Sequence, residues 1–189
     1  MPNHVKTTVC VVGETDEVRK FREDFIYKNA EINHDEAFNL DKIIPQPENI
    51  YRENLTREKK LELDAANIPN WYDWNCENWG TKWNTYSFDS HGVDDYGRVD
   101  DCGKYTRYTF EFQSAWSEPC DNIWIKLSEM FPNLMFFCRA DGERDSVRIW
   151  VIKNLEIESD DEYNFIPDIQ DMAYNEMWER DYYEKRTQG

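Results

Sequence analysis

Alternating apolar and polar positions at the start of the chain predict a strand followed by a helix. β-branched residues occupy every second position of residues 5–12, the spacing of a strand with a buried face, and Gly13 follows where a turn is expected. Apolar residues then recur at helical spacing from Val18 to Ile26, and Thr15 is expected to cap this helix. The chain therefore opens with a β-α unit.

Between this unit and the next clear strand, the pattern predicts one short strand and two helices. Residues 37–44 read Ala-Phe-Asn-Leu-Asp-Lys-Ile-Ile and are predicted to form a short strand, which Pro45 and Pro47 end. Residues 57–66, rich in Glu, Lys and Leu, are predicted to form a helix. Residues 71–79 are predicted to form a second short helix that Gly80 terminates. We interpret residues 45–83 as a helical, tryptophan-rich insertion.

The second half of the chain begins with two further strands and a helix. Residues 84–88 and 107–116 are predicted strands, the second with clear period-two alternation, and the acidic loop 90–104 separates them. Ser117 is expected to cap the following helix, which carries a broad apolar stripe over residues 123–131. A core-facing helix therefore follows this pair of strands.

The last elements complete an antiparallel α+β sandwich. Residues 134–139 and 147–155 are β-rich runs joined by a hairpin-like turn, and residues 166–185 have the spacing of an amphipathic helix. Without the insertion, the order of elements fits a split βαβ arrangement, in which one antiparallel sheet carries its helices on one face. We assign residues 1–157 to this domain and residues 158–189 to an acidic helical extension.

Negative charge is high and is concentrated in two segments. The chain has 39 acidic and 22 basic residues, a formal net charge of -17, and residues 89–101 and 158–189 are the most acidic parts. Direct binding to a nucleic-acid backbone is not expected, because that attraction needs Lys and Arg. An acidic surface can instead occupy the basic groove of a partner protein. The residues predicted to form this surface are Asp94, Asp95, Asp100, Asp101, Asp168, Asp171, Glu176, Glu179, Asp181 and Glu184.

Composition and motifs indicate a protein without catalytic chemistry. The mean hydropathy is -0.90, no apolar run approaches the roughly 20 residues of a membrane span, and no secretory signal is recognised. A cytosolic protein is therefore expected. The five cysteines are widely spaced and match no zinc-ligand pattern, so neither disulfides nor a metal is expected. Because no nucleophile, phosphate-binding or metalloprotease motif occurs, we predict neither an enzyme nor a cofactor.

Tryptophans cluster in one short segment of the insertion, since four of the eight fall within residues 71–83. One interpretation makes Trp79, Trp83 and Trp116 a core cluster that fastens the insertion to the sheet. The alternative makes the segment a patch of exposed indoles that stacks on a nucleotide-like ligand. Lys82 is expected to pair with a nearby acid rather than with phosphate. The alternative ligand-binding set is Trp71, Trp74, Asn78, Trp79, Thr81, Lys82 and Trp83.

Short runs around these tryptophans resemble a known family. Residues 78–84 read Asn-Trp-Gly-Thr-Lys-Trp-Asn and follow Trp-Tyr-Asp-Trp at residues 71–74. With Lys-Ile-Ile-Pro-Gln-Pro at residues 42–47 and Ser-Ala-Trp-Ser-Glu-Pro at residues 114–119, this pattern is similar to the YubB-type ferredoxin-like domain of phage, prophage and plasmid proteins. The resemblance covers residues 3–140 and leaves the acidic tail outside. It implies a ferredoxin-like fold and a mobile-element origin, and it implies no catalytic residue.

Three functional hypotheses follow from these features. The first is a phage or mobile-element protein that inhibits a host defence or nucleic-acid-handling complex, with its acidic surface mimicking nucleic acid in a basic groove. The second is a binder of a small nucleotide-like ligand at the tryptophan-rich segment. The third is an interaction or assembly module that uses Tyr174, Trp178 and Tyr182 of the C-terminal helix. All three place the protein in the host cytosol.

Overall fold

The computed structural model describes residues 3–28, 36–93, 105–142, 147–159 and 168–187. The strands in these ranges are β1 (His4–Glu14), β2 (Ile26–Lys28), β3 (Glu36–Phe38), β4 (Tyr86–Val93), β5 (Tyr105–Ala115), β6 (Met135–Asp141), β7 (Val147–Lys153) and β8 (Glu156–Ser159). The helices are α1 (Thr15–Phe25), α2 (Arg57–Ala66), α3 (Trp71–Asn78), α4 (Asp121–Met130) and α5 (Ile169–Thr187). A 3-10 turn covers Leu40–Lys42.

β1 lies inside a six-stranded antiparallel sheet with the order β4-β5-β1-β6-β7-β8. It pairs with β5 over its whole length, from His4 opposite Ala115 to Glu14 opposite Tyr105, and its other edge pairs with β6. β4 therefore runs parallel to β1 with β5 between them, and β6 runs parallel to β5 with β1 between them. The prediction of an α+β fold built on an antiparallel sheet is confirmed.

Helices cover both faces of this sheet, so the prediction that they lie on one face is wrong. Side chains alternate along β1: Val9 and Val11 belong to a core that α1 and α4 cover, whereas Cys10 and Val12 point to the opposite face. Strands that are apolar on both sides need cover on both sides. The α5 residues that cover the second face are Ile169, Ala173 and Met177.

Most of the strand predicted over residues 37–44 is not a strand. β3 includes only the start of this segment, and a 3-10 turn follows it. Asn39 Oδ1 accepts a hydrogen bond from the backbone N–H of Asp41 at 3.0 Å. An asparagine that bonds its own backbone in this way offers the chain an alternative to strand pairing. Apolar residues continue past Asn39, but this local bond and the hydrogen bond from the Leu40 N–H to Asn84 Oδ1 favour a turn.

The two predicted helix caps, Thr15 and Ser117, are also wrong. Thr15 is the first residue of α1 rather than its cap. α4 begins only at Asp121, after Cys120, and no side chain caps it. Ser117 Oγ instead donates a hydrogen bond to the carbonyl oxygen of Gly80. This bond ties the segment before α4 to the tryptophan-rich insertion.

The C-terminal helix is part of the packed structure. α5 begins and ends within three residues of the helix predicted over residues 166–185, and its apolar face closes the second core. None of the helices in the described ranges is long and apolar enough to cross a membrane. The division of the chain into residues 1–157 and 158–189 stays a prediction.

Candidate ligand groove

Side-chain caps define the two helices of the insertion. Thr56 Oγ1 accepts a hydrogen bond from the N–H of Lys59 at 3.1 Å at the start of α2. Asn70 Oδ1 accepts one from the N–H of Asp73 at 3.0 Å at the start of α3. Asn67 ends α2 with a φ of 54°, a left-handed conformation that asparagine tolerates. The chain can therefore turn sharply between α2 and α3. The first turns of these two helices line one groove.

Trp79 anchors the insertion in the main core. Its side chain is only 3% exposed, and its Nε1–H donates a hydrogen bond to the carbonyl oxygen of Ile44 at 2.9 Å. The ring meets that of Trp74 edge to face, with 5.4 Å between the centroids. Trp79 is therefore a core residue, and it is not available for stacking on a ligand.

Gly80 lets the chain approach α4 closely after α3 ends. Its φ is +75°, and a Cβ placed there would lie 2.8 Å from both the Cβ and the backbone nitrogen of Cys120. The N–H of Cys120 donates to the carbonyl oxygen of Trp79 at 2.9 Å. The predicted role of Gly80 as the helix terminator is confirmed, and the turn also docks the insertion on the sheet domain.

A groove of about 430 Å³ opens between the first turns of α2 and α3, within the size range of small-molecule sites. Arg57 and Lys60 reach it from α2, Trp71 and Tyr72 from α3, and Lys82 from the segment after Gly80. The remaining lining residues are Asn54, Leu55 and Thr56. Cationic and aromatic side chains thus meet at one hollow of an acidic protein.

Lys60 is held at the groove by two carboxylates. Its Nζ donates a hydrogen bond to Asp73 Oδ2 and lies 3.7 Å from Asp64 Oδ2. Hydrogen bonding to Asp73 raises the pKa of Lys60. Burial acts to raise the pKa of Asp73, but hydrogen bonds from Lys60 and Asn70 outweigh it, so that pKa is lowered. The charge of Lys60 is therefore compensated inside the protein.

Replacing Asp73 by Asn should give a small, pH-dependent loss of stability. The native pKa of Asp73 is lowered, so its stabilisation is full above its unfolded pKa of roughly 4 and disappears as the pH falls through the native value. Because this side chain is half exposed, we expect less than about 1 kcal/mol at pH 7. Urea unfolding of both proteins at pH 7 and pH 3 measures the difference. A difference that grows in acid would contradict this prediction.

Arg57 and Lys82 are the groove cations whose charge is not compensated by acids in the described ranges. No carboxylate described there lies within ion-pair distance of either side chain. Lys82 Nζ lies 4.7 Å from the ring centroid of Trp83 and 5.3 Å from that of Trp116. The expectation that Lys82 pairs with an acid is wrong for this part of the chain, because aromatic faces surround its ammonium group.

The aromatic side of the groove is a chain of edge-to-face contacts. The ring centroids of Trp71 and Tyr72 are 5.8 Å apart with an interplanar angle of 89°. Those of Tyr72 and Trp116 are 5.6 Å apart with an angle of 80°. Trp71 Nε1–H donates to the carbonyl oxygen of Glu53 at 3.1 Å, which fixes the indole. The rings are therefore positioned before any ligand arrives.

The structure brings two members of the predicted ligand-binding set, Trp71 and Lys82, into the groove. Trp83 touches Lys82 without lining the groove. Asn78, Trp79 and Thr81 use their side-chain polar groups within the protein. Asn78 Nδ2 donates to the Trp74 carbonyl oxygen at 2.9 Å, and Thr81 Oγ1 donates to that of Trp83 at 2.7 Å. The residues predicted for ligand binding that lie outside the groove are Trp74, Asn78, Trp79, Thr81 and Trp83.

Sequence reasoning missed Arg57, Lys60 and Tyr72. The spacing of Arg57 and Lys60, three residues apart in a helix, places both on one side and is readable from sequence. No local pattern shows that this side meets α3. That approach depends on the backbone bridge between Tyr51 and Asn70 and on the ion pair of Lys60.

The predicted acidic surface is only partly described by the structure. Asp171 and Glu179 are exposed on α5. Asp168 accepts a hydrogen bond from the backbone of the first turn of α5, and Glu176 Oε1 lies 3.7 Å from Lys153 Nζ. Asp181 and Glu184 lie within α5, and Asp94, Asp95, Asp100 and Asp101 lie outside the described residues.

The aromatic line predicted on the C-terminal helix is described at one position. Tyr174 is exposed, and the guanidinium carbon of Arg107 lies 5.8 Å from its ring centroid. Trp178 and Tyr182 lie within α5. The Tyr174 ring is therefore engaged by a cation of β5 and remains accessible.

Comparisons with known proteins identify no family. No protein-family model matches the chain, and no curated protein matches its sequence. Among solved structures, the crystal structure of protein api92 from Yersinia pseudotuberculosis, described with the family model DUF1281, is similar to part of the chain. The TM-score is 0.42 and the sequence identity 13%, and the match covers 53% of this chain and 33% of that one. A likeness at this level identifies neither a topology nor a function.

Proposed function

We propose that the protein is a non-enzymatic binding module whose groove takes a small nucleotide-like ligand. The observation that supports this most strongly is the meeting of Arg57 and Lys82 with the rings of Trp71 and Tyr72 around one hollow. An aromatic ring can stack on a base, a contribution of about 1–3 kcal/mol per base. A guanidinium and an ammonium can bind the phosphate. A nucleotide-like ligand can therefore contact both the aromatic and the cationic side chains of the groove.

The acidity of the chain does not prevent phosphate binding at this place. The formal net charge is -17, but the screening length at physiological ionic strength is roughly 8 Å. A phosphate in the groove therefore interacts mainly with the cations that line it. Arg57 can donate two parallel hydrogen bonds to a phosphate, a geometry that a lysine cannot match.

We also propose that the sheet domain has the ferredoxin-like topology. Two features support it: β1 lies between β5 and β6, and each helical connection links parallel strands separated by one antiparallel strand. In this arrangement the groove belongs to the insertion between α1 and β4. The ligand site would then be an addition to the sheet domain rather than a part of it.

Lys82→Gln should weaken nucleotide binding by about tenfold, because it removes one charge-assisted hydrogen bond of roughly 1.5 kcal/mol. Isothermal titration of adenosine monophosphate into the full-length protein measures the dissociation constant. Lys126→Gln is the matched control, since Lys126 is a partly exposed lysine on α4 that pairs with Glu129 outside the groove. Absence of nucleotide binding at millimolar concentration, or an equal loss in both variants, would contradict the proposal.

A second candidate function, inhibition of a host defence or nucleic-acid-handling complex by an acidic mimic of nucleic acid, is supported by α5. Asp171 and Glu179 are exposed on the helix whose opposite face packs on the sheet. Carboxylates on a rigid, docked helix can face a basic groove of a partner protein without ordering a free tail. This function uses a different surface from the ligand groove.

Competition by duplex DNA tests the second candidate. Host proteins retained by the immobilised full-length protein should be released by added DNA if they hold it in a nucleic-acid groove. A variant with Asp171→Asn and Glu179→Gln should retain less of them, because these changes remove two exposed charges and leave the packed face intact. If DNA does not release the retained proteins, or if the variant retains as much of them as the unaltered protein, this function is excluded for α5.

A further inference from the structure

We propose that the groove is one half of a two-part site and that its ligand is a dinucleotide-sized molecule that passes over Trp116. This inference rests on the proposed nucleotide-binding function and adds the length of the ligand. It depends on three observations: the conformation of Trp116, a second hollow beside it, and the position of Lys82 between the two hollows.

Trp116 is held in a strained backbone conformation while its side chain remains accessible. Its φ is +80°, a value that costs a bulky residue about 1–3 kcal/mol. The side chain is 44% exposed, so its burial offsets little of that strain. The backbone is fixed there because the N–H of Trp116 donates to the carbonyl oxygen of Asn3 at 2.8 Å. Retaining a large indole at such a position is typical of a ligand-contacting residue.

A second hollow of about 220 Å³ lies beside Trp116. Val5, Ser117 and Arg148 contribute to its lining. This volume is below the range of complete small-molecule sites, and it suits one part of a larger ligand. The hollow therefore has the size of a subsite.

The charged side chains of the two hollows favour different parts of the ligand. In the second hollow, Arg148 already pairs with Glu118 at 3.3 Å and with Asp121 at 2.9 Å. It offers little attraction to a further phosphate, so this hollow suits an uncharged base or sugar. The first groove keeps Arg57 and Lys82 for negative charge.

Trp116 and Lys82 connect the two hollows. Trp116 lines the second hollow, and its ring touches that of Tyr72, which lines the first. Lys82 Nζ lies 5.3 Å from the Trp116 ring centroid and also lines the first groove. A linking phosphate bound by Lys82 would place one nucleoside in the groove and the next against Trp116. Two nucleosides joined by one phosphate match this order of aromatic, cationic and aromatic groups.

Titration with two ligand lengths tests this inference on the full-length protein. The adenine dinucleotide pApA, which carries one nucleotide more than adenosine monophosphate, should bind at least about tenfold more tightly, chiefly because one more base is stacked. Trp116→Gly should remove that gain, so that the variant binds pApA and adenosine monophosphate with similar affinity. Glycine adopts this φ without strain, so the variant should fold. Trp116→Phe should retain most of the gain because it keeps an aromatic face.

The outcomes separate the length of the ligand from the function of the groove. Equal affinities for the two ligands would overturn the two-part site and leave the nucleotide-binding function intact. A Trp116→Gly variant that keeps the full gain for the dinucleotide would show that Trp116 does not contact the second nucleoside, and this would also overturn the two-part site. Binding of neither ligand by the unaltered protein would overturn both proposals.

Discussion

Trp79→Ala is expected to lower the free energy of unfolding by about 3–5 kcal/mol, the range for removing a buried aromatic side chain. The change removes a ring that is 3% exposed, its hydrogen bond to the Ile44 carbonyl oxygen and its edge contact with Trp74. The Ile44 carbonyl oxygen would lose a donor within the packed structure. Much of the attachment of the insertion to the sheet domain would then be lost.

Urea unfolding followed by circular dichroism measures this effect, and Trp83→Ala is the control. Trp83 is a neighbouring tryptophan with a half-buried side chain, so its truncation should cost clearly less. A loss below about 1 kcal/mol for Trp79→Ala would contradict the core position of this ring. Any loss of nucleotide binding in Trp79→Ala would report on folding of the insertion, since the ring does not line the groove.

Ala173→Asp is expected to destabilise the protein by roughly 3–5 kcal/mol, because it places an uncompensated carboxylate under α5. Ala173 is 0% exposed and packs in the second core with Cys10, Val12 and Phe137. The helix would have to leave the sheet to hydrate the new charge. Undocking would then expose the apolar second face of the sheet.

Asn175→Asp provides the matched control for this change. It adds the same charge two residues away, at an exposed position of α5, and should alter stability by less than about 0.5 kcal/mol. Thermal unfolding together with light scattering distinguishes the two variants, since only Ala173→Asp should aggregate. Equal stability of the two variants would show that α5 is not docked. For the same reason, deletion of residues 158–189 is unsuitable as a test of the acidic surface, and charge-neutralising substitutions are needed.

The sequence predicted the elements whose pattern is local and periodic. The alternation in residues 5–12 marks β1, the Glu-, Lys- and Leu-rich composition of residues 57–66 marks α2, and Gly80 marks the end of α3. The antiparallel sheet followed from the order of these elements. The pattern that marks each helix or strand extends over a few residues, so the element can be predicted without knowing what it packs against.

The predictions that were wrong failed because of contacts that the local sequence pattern does not show. Val12 and Cys10 looked like the outward positions of a half-buried strand, and they belong to a second core because α5 returns to cover them. The turn at Asn39 depends on side-chain hydrogen bonds, both the local one within the turn and those made with the distant Asn84. Lys82 was expected to pair with an acid because it is the one basic residue among residues 61–88, but its neighbours in space include two indoles.

Only some of the groove residues could be predicted, because the others come together through tertiary packing. Trp71 and Lys82 belong to one unusual run of sequence, and their types suggested a ligand of aromatic and anionic character. Tyr72 lies beside Trp71 in the same run, but Arg57 and Lys60 join them only because the first turn of α2 lies beside that of α3. The residue types suggested the nucleotide-ligand hypothesis, whereas the residues that line the groove could be identified only from the tertiary structure.

The indole N–H signals of the eight tryptophans test the groove most directly. In a two-dimensional ¹H–¹⁵N spectrum of the full-length protein, with assignments from single Trp→Phe variants, adenosine monophosphate should shift the Trp71 indole signal. It should leave that of Trp79 in place, because that ring is buried in the core. A shift of the Trp79 signal without that of Trp71, or no indole shift at saturating nucleotide, would contradict a ligand site between α2 and α3.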